Sequence, residues 1–403
     1  MKRRDLLTSL AALPGAALVA PGSSAEESEP QAARVRRYRQ VGRTDLRISD
    51  ISFGAGQLPA ASLVLRALER GVNYFDTAPD YGQSEVYLGE AVAKFKQRDK
   101  LYLASKFCDA TPFKAGSSHL QAGKTKQEYK DAIEGSLKRL RTDYLDVAFV
   151  HAMGELEDLE RERGRLTDQQ MLAAAAELKQ EGKIRYLAVS SHGPYHMELL
   201  MGEAIRSGHF DLVMPAFNFM KFPKVPDLLQ EAQARGVGVI AMKTLAGARD
   251  MSLDAKGGQF EQAAFKWVLK HPEVAGLVVT MKKVGDLDLY LPASGQDLGA
   301  GDQRLLDRYA ARYGQDYCRT GCSTCEASCP AGVPIAAILR YQMYFEQYGD
   351  EKRAMQSYAA LGTSAAVCAG CAVPACNSGC PHGLPVAAKL QAAHGSLSFA
   401  AHA

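Results

Sequence analysis

Residues 71–85 read Gly71-Val72-Asn73-Tyr74-Phe75-Asp76-Thr77-Ala78-Pro79-Asp80-Tyr81-Gly82-Gln83-Ser84-Glu85. A short apolar run ends in an acid, a turn rich in proline and glycine carries a tyrosine, and a helix then begins. That is the order of a βα unit with two reactive groups at the carboxyl end of its strand. Three later runs end in the same way. Residues 101–105 lead into Lys106, 146–150 into His151, and 186–189 into Ser190-Ser191-His192. A parallel barrel places its chemistry at that end of its strands.

Working outward, eight strand-like runs cover 48–53, 74–76, 101–106, 147–151, 186–190, 212–217, 238–242 and 276–280. Helical patterns separate them. Across 126–140, Tyr129, Ile133, Leu137 and Leu140 share one face, and 168–178 contains four consecutive alanines. Eight such pairs predict an α/β fold, a (β/α)8 TIM barrel. A doubly wound sheet is the weaker alternative, because no glycine-rich phosphate turn follows any strand. Gly42-Arg43-Thr44-Asp45 reads as a hairpin turn ahead of the barrel.

Four motifs in this order resemble the aldo-keto reductase family over residues 37–291. They are the Phe-Asp-Thr-Ala turn with Tyr81 and Gly82, Ala-Ser-Lys at Lys106, Leu140-Arg141-Thr142-Asp143-Tyr144-Leu145-Asp146 before His151, and Gly182-Lys183-Ile184-Arg185-Tyr186 before Val189-Ser190. The resemblance implies that the hairpin closes the bottom of the barrel. It also implies a catalytic tetrad of Asp76, Tyr81, Lys106 and His151. Carbonyl reduction needs a hydride donor and an acid for the forming alkoxide. A tyrosine ionises near ~10, so a neighbouring ammonium is expected to lower Tyr81, and a carboxylate to hold that ammonium. His151 would orient the substrate carbonyl. Each of the four residues alone has a structural explanation as cap, surface charge or packing; their shared position at consecutive strand ends carries the reading.

The same resemblance places a nicotinamide cofactor, NADP(H), across Ser190, Ser191, Asn218, Lys243, Thr244, Leu245, Lys282 and Lys283. The sequence departs from the family there. Ser191 stands where an asparagine is expected, Met214 where a glutamine is, and the strand-seven loop Met242-Lys243-Thr244-Leu245-Ala246-Gly247 lacks a stacking tyrosine. Lys282 and Lys283 read equally well as a solvated helix start. The loop does resemble the branch of the family with C-terminal iron–sulfur domains.

Only Cys108 of the nine cysteines precedes residue 318. It reads as a small buried apolar residue. The others form two runs, Cys318, Cys322, Cys325 and Cys329 before Pro330, and Cys368, Cys371, Cys376 and Cys380 before Pro381. Runs ending in Cys-Pro are similar to ferredoxin ligand sets, which implies two [4Fe-4S] clusters. Each run departs from the plain spacing by one insertion. If the cysteine before proline serves the other cluster, Cys329 joins Cys368, Cys371 and Cys376, and Cys380 joins Cys318, Cys322 and Cys325. Residues 333–348 between the runs read as an amphipathic helix, so the module is expected to be mostly helical and ferredoxin-like. Disulfides and structural zinc are the alternatives.

The chain opens with Arg3-Arg4 before an apolar run to Ala20 and small residues at 23–25. That pattern reads as a twin-arginine signal peptide, with an ordinary secretory signal and a retained anchor as alternatives. The expected organisation is signal 1–25, flexible leader 26–35, barrel 36–313 and iron–sulfur domain 314–403. With 403 residues, 47% of them apolar, the chain can bury more than one core. A net charge of +3 implies no nucleic-acid partner. No membrane span is expected after signal cleavage, and no short-period repeat stands out beyond the strand–helix alternation.

The expectation is an exported, periplasmic oxidoreductase. It would interconvert a small carbonyl, alcohol or sugar and exchange electrons with a redox partner protein or carrier. A non-catalytic barrel serving as an electron-transfer or binding subunit is the rival, and a cytoplasmic NADPH reductase with a misread N-terminus is a third reading.

Overall fold

Thr44 makes the first turn. Its hydroxyl donates to the Val41 carbonyl at 2.6 Å and accepts from Leu46 N at 3.2 Å. The chain therefore reverses between β1 (Tyr38–Gln40) and β2 (Arg47–Ser49), which pair antiparallel. The computed structural model describes residues 32–110, 119–220, 224–246, 259–316 and 318–398. The segment read as an export signal lies outside them, as does most of the expected leader.

β3 (Ile51–Gly54), β4 (Tyr74–Asp76), β5 (Tyr102–Lys106), β6 (Leu145–Met153), β7 (Ile184–Ser191), β8 (Leu212–Pro215), β9 (Gly238–Ala241) and β10 (Val274–Thr280) pair in parallel in chain order. β10 closes on β3 to complete the barrel. The expected first run, 48–53, is divided between hairpin and barrel. Asp50 makes the break: its carboxylate accepts from Ser294 Oγ at 2.6 Å and from Gly295 N at 2.8 Å.

Val41, Leu46 and Ile48 of the hairpin enter the apolar cluster inside the barrel, beside Tyr74, Val147 and Phe149. Two of the motifs that carry the family resemblance meet at this bottom end. Asp146 accepts from Arg98 at 2.8 Å and from Arg185 at 2.7 Å, and Arg185 also pairs with Asp45 of the hairpin. These residues hold the strands' amino ends together and leave the carboxyl ends for chemistry. Around the outside, Lys126–Leu140 forms the helix its periodicity predicts, opened by a capping box of Thr125 and Glu128.

The cysteine module has its own small core, including Val333, Ile338, Leu384 and Leu390. It is built twice over. Gly332 N donates to Cys329 O and Ile335 N to Val333 O; Gly383 N donates to Cys380 O and Val386 N to Leu384 O. Ala336 N donates to the Glu326 side chain, and Ala387 N to the Asn377 side chain. Helices Ile335–Met343 and Val386–Leu397 follow the two copies. The sequence holds the trace as Cys-Pro-x-Gly-x-Pro at 329–334 and 380–385, a repeat that the search for short periods missed because only two copies exist, 51 residues apart.

The helix expected over 333–348 stops at Met343 and continues as a wider turn, Tyr344–Tyr348, ended by Gly349 in the left-handed region. The widening turns both tyrosines toward the barrel mouth. Tyr344 Oη lies 3.3 Å from His192 Nδ1, and Arg353 pairs with Glu155 at 3.7 Å. Among the described residues, no helix is long and apolar enough to cross a membrane.

Candidate active site at the barrel mouth

Register brings the first pair together. Asp76 at the end of β4 is opposite Ala104 of β5, and Lys106 lies two residues further along on the same face. Lys106 Nζ donates to Asp76 Oδ1 at 2.7 Å and to the Thr77 carbonyl at 2.6 Å. Both side chains are buried. Burial works against the ammonium charge, yet Asp76 and Tyr81 outweigh it and Lys106 stays protonated. Burial raises the Asp76 carboxyl and Lys106 pulls it back.

Tyr81 follows in the turn after β4, with Lys106 Nζ 4.9 Å from its ring centroid. His151 of β6 meets the same ring edge-on at 5.9 Å. The four side chains named from the sequence thus converge. Their electrostatics differ from expectation: burial pushes the Tyr81 phenol up, and Lys106 offsets only part of that. The ammonium is close enough to act, but the low-dielectric surroundings of the phenol dominate.

His151 is held from behind. Arg165 donates to its carbonyl at 2.5 Å and to the Ala152 carbonyl at 3.3 Å, and Ala152 N donates to Ser190 Oγ at 3.0 Å. Ala152 takes a left-handed φ of 52°, a costly conformation that these contacts secure. Burial keeps His151 neutral well below its usual range, with the charges of His119 and Lys106 adding to the effect.

Cys108 is buried as expected, but it is not apolar packing. Its Sγ lies 2.8 Å from His151 Nδ1. The Cys108 strand pairs back on His119, so a second histidine comes alongside, with ring centroids 4.2 Å apart. His119 Nδ1 is 2.8 Å from Glu155, and its Nε2 is 3.5 Å from Asp80. Asp80 Oδ1 is also 3.8 Å from His151 Nδ1. His119 holds the Glu155 carboxyl down at about 2 against the opposing effect of burial. None of Asp80, His119 or Glu155 was identified from sequence. Asp80 beside Tyr81 was the available signal, and Glu155 opens the charged stretch 155–165; the spacing of His119 gives no clue.

Gly154 and Gly193 make this crowding possible. A Cβ on Gly154, at φ 81°, would stand 2.1 Å from the Tyr195 carbonyl, and one on Gly193 would stand 2.0 Å from the Gly154 carbonyl. The loops after β6 and β7 therefore touch backbone to backbone, which brings Glu155 and His192 to the mouth. A cavity of about 410 Å³ opens there, lined by Glu155, Tyr195, Tyr341, Tyr344 and Arg353 among others.

A closed parallel barrel with acid, tyrosine, lysine and histidine at its carboxyl end meets an independent match. Residues 55–252 fit the family model described as "Aldo/keto reductase family". Those residues, just under half of the chain, match the aldo/keto reductase family. YqkF of Bacillus subtilis (strain 168), an uncharacterised oxidoreductase, is 32% identical over 208 residues, covering 49% of this chain and 62% of its own length. The match therefore spans less than two thirds of that relative. L-galactose dehydrogenase of Arabidopsis thaliana is 24% identical over 288 residues, 62% of this chain and 85% of that enzyme. A Pseudomonas aeruginosa structure provisionally called an aldo-keto reductase superposes with a TM-score of 0.53 at 26% identity, covering 66% of this chain and 96% of its own. Family and named relatives place the chain among oxidoreductases.

In this aldo/keto reductase barrel, the residues expected to hold a nicotinamide are engaged elsewhere. Ser190 Oγ accepts from Ala152 N, and Ser191 Oγ donates to the Met153 carbonyl at 2.8 Å. The Asn218 amide donates to the Lys243 carbonyl at 3.0 Å and accepts from Met220 N at 3.0 Å. Met214 is buried inside the barrel. Lys243 Nζ sits over the Tyr348 ring at 4.5 Å and the Tyr344 ring at 5.5 Å. Burial, then Arg340 and Arg353, push Lys243 down to about 7, while the two ring faces favour its charged form. Thr244 is buried and Leu245 packs on the main core. Lys282 and Lys283 are exposed at a helix start, where Asp286 already accepts from both backbone N–H groups.

All nine cysteines are free thiols. Burial and then Cys322 raise Cys318, with Cys380 among its neighbours. Burial, then Cys318, Cys380 and Cys322, raise Cys325 to about 12. In the second group, Cys368 and Cys376 are each raised by burial and by Cys329 and Cys371. Each quartet so defined takes three cysteines from one run and the Cys-Pro cysteine from the other. A Cβ on Gly379 would stand 2.6 Å from Ser328 Oγ and 3.5 Å from Cys325 Cα, which is how Cys380 comes beside the first run.

Proposed function

We propose that the protein is an exported oxidoreductase that interconverts a carbonyl and an alcohol, with Tyr81 as general acid and base, electronically coupled to two C-terminal [4Fe-4S] clusters. The observation that carries it is the Lys106 ammonium, clamped by Asp76 and the Thr77 carbonyl, 4.9 Å from the Tyr81 ring at the mouth of a family barrel.

In the reducing direction the carbonyl carbon must receive a hydride, or two electrons and a proton, from a reduced donor, and the buried, neutral phenol of Tyr81 is the right species to give the other proton to the carbonyl oxygen. The phenolate left behind is compensated by Lys106, whose charge Asp76 fixes in place. Burial keeps the Cys108 thiol protonated, so it donates to His151 Nδ1. The His151 hydrogen is then on Nε2, the nitrogen available to orient a substrate carbonyl. The 410 Å³ cavity, with two carboxylates, two guanidinium groups and three tyrosines in its wall, is polar enough to admit a small polar substrate, although none of the four tetrad residues lines it.

NADP(H) is the family's usual hydride donor, and the family match supports its use. The described side chains do not fit it: the serines and Asn218 are engaged, and Tyr344 and Tyr348 cover Lys243. No step is routed through it. The cysteines fit clusters better, since they gather as two crossed quartets, Cys318, Cys322, Cys325 and Cys380, and Cys329, Cys368, Cys371 and Cys376. Bound there, clusters supply single electrons. Their insertion inside the cell and the paired Arg3 and Arg4 together support export of the folded protein by the twin-arginine route; secretion persisting after both arginines are changed to lysine would count against it.

The engaged nicotinamide positions favour one second reading, a barrel that serves as a binding or electron-transfer subunit. The deciding experiment is a single-turnover assay on anaerobically purified protein of measured iron and sulfide content. Electrons come from NADPH or from chemically reduced clusters, and the substrates are aldehydes, ketones and sugars. Turnover that disappears in Tyr81→Phe at unchanged iron content supports the enzyme; equal rates in both proteins leave the subunit reading.

A further inference from the structure

Beside the proposed proton donor, His151 of the tetrad and its neighbour Cys108 join Asp80 and His119 in a second constellation. Among the described residues, the one group of three or more Cys, His, Asp or Glu ligands whose donor atoms all lie within 4.8 Å of one another is Asp80, Cys108, His119 and His151. It contains one sulfur, two imidazole nitrogens and one carboxylate oxygen, from four different segments of chain. We propose that these four residues bind a single divalent first-row transition ion of the zinc class.

The geometry is near what such an ion imposes. With bonds of about 2.0–2.3 Å in a tetrahedron, neighbouring ligand atoms stand about 3.3–3.6 Å apart. The His119 Nε2–Asp80 Oδ2 and His151 Nδ1–Asp80 Oδ1 distances are 3.5 and 3.8 Å. Those two contacts use the two oxygens of one carboxylate, all four donor atoms lie within 4.8 Å of one another, and Cys108 Sγ and His151 Nδ1, at 2.8 Å, must open by about 0.7 Å on that scale. A donor set of mixed imidazole, thiolate and carboxylate is one that zinc accepts readily, and calcium or magnesium poorly.

The outer partners are also those of a metal site. His119 directs Nε2 at the cluster and its Nδ1 at Glu155, 2.8 Å away. A carboxylate on the far nitrogen fixes a ligating imidazole's orientation and tautomer. Glu155 in turn meets Arg353 of the cysteine module at 3.7 Å. Arg165, on the His151 carbonyl, fixes the other imidazole. A divalent ion with one thiolate and one carboxylate leaves the inner site neutral, which avoids adding an uncompensated charge in a buried place beside Lys106. Four protein ligands close the coordination, so the ion is a positioning device. Bound to His151 Nδ1, it requires the hydrogen on Nε2, the same tautomer that Cys108 selects when no ion is present. Ion and thiol are alternative ways of aiming one imidazole.

The test uses the full chain with its clusters in place, titrated with cobalt(II) and zinc(II). Expected is about one equivalent of cobalt with tetrahedral d–d bands and a thiolate charge-transfer band, displaced by zinc. Zinc-edge X-ray absorption should show one sulfur and three nitrogen or oxygen neighbours. Cys108→Ser should lose the charge-transfer band, and His119→Ala should lose at least ten-fold in affinity, both with unchanged iron content. Wild-type protein alone can overturn the proposal: zinc surrounded by four sulfurs would place it in a cysteine quartet, and less than a tenth of an equivalent would mean no site. Binding by both variants equal to wild type overturns it as well.

Discussion

The barrel mouth and the cysteine module are both gatherings of reactive side chains, but they are held in opposite ways. At the mouth, the groups sit at or just after strand ends and are tied by hydrogen bonds: Lys106 to the Thr77 carbonyl and the Asp76 carboxylate, and the His151 carbonyl to Arg165. Opposite charges meet there, so the protein alone can hold the arrangement. In the module, the cysteines lie on short turns and helices, Thr324–Ser328, Ala365–Gly370 and Ala375–Gly379, and each quartet brings together groups that repel one another once ionised. On the proposed reading, clusters would offset that repulsion, and their binding would become part of folding. One site would then be preorganised by the fold, while the other would help to make its fold.

The largest effect expected from that contrast comes from breaking the mouth's ion pair. Lys106→Met leaves Asp76 buried without its cation. Removing one partner of a buried pair costs about 3–5 kcal/mol, and loss of a positioned proton-transfer group about 10²–10⁴ in rate. Thermal unfolding and single-turnover rates measure the two losses. Asp76→Asn with Lys106→Met should recover much of the stability and none of the rate. If rate returned with stability, the pair would be structural only.

Next in size is Cys325→Ser. It removes one ligand from the quartet completed by Cys380. Iron content should fall by about half if two four-iron clusters are present, and the module's helices should loosen while the barrel remains folded. Iron and sulfide analysis together with hydrogen exchange over 318–398 reads both. A barrel that unfolds along with the module would show that the contrast between self-held and metal-held sites is false.

The difference in construction also explains what the sequence could reveal. Asp76, Tyr81, Lys106 and His151 are legible because each lies at or just beyond the carboxyl end of a strand-like run, and a parallel barrel turns linear order into a ring of neighbours. The two Cys-Pro endings raised crossed pairing as an expectation, and Cys380 does neighbour Cys318 and Cys325. Asp80, His119 and Glu155 were not legible, because they meet through a bridge between Cys108 and His119 and a contact between Gly154 and Gly193 that no periodicity encodes. The raised Tyr81 was missed for a related reason: the sequence names the cation but not the depth of burial. The cover over Lys243 was missed because a continuous helix was expected over 333–348, where the chain widens at Tyr344.

The smallest effect concerns the seam between the two regions. His192, half-buried after β7, faces Lys243 of the barrel, Glu155, Arg340 and Arg353, with Tyr344 Oη 3.3 Å from its Nδ1. Burial holds it well below its usual range; Lys243, Arg353 and Arg340 add to that, and Glu155 opposes. An unfolded histidine takes up a proton near ~6.5, which the folded one refuses. The unfolded state therefore binds more protons below that pH, so stability is complete above it and falls as pH drops toward the folded pKa. One proton makes the slope at most about 1.4 kcal/mol per pH unit. His192→Asn keeps a polar neighbour for Tyr344 without the titration. Comparing melting of the two proteins at about pH 8 and about pH 5, the wild type should lose more on acidification, and the module should loosen first by hydrogen exchange. An identical acid loss in both proteins would show that the seam does not sense this proton.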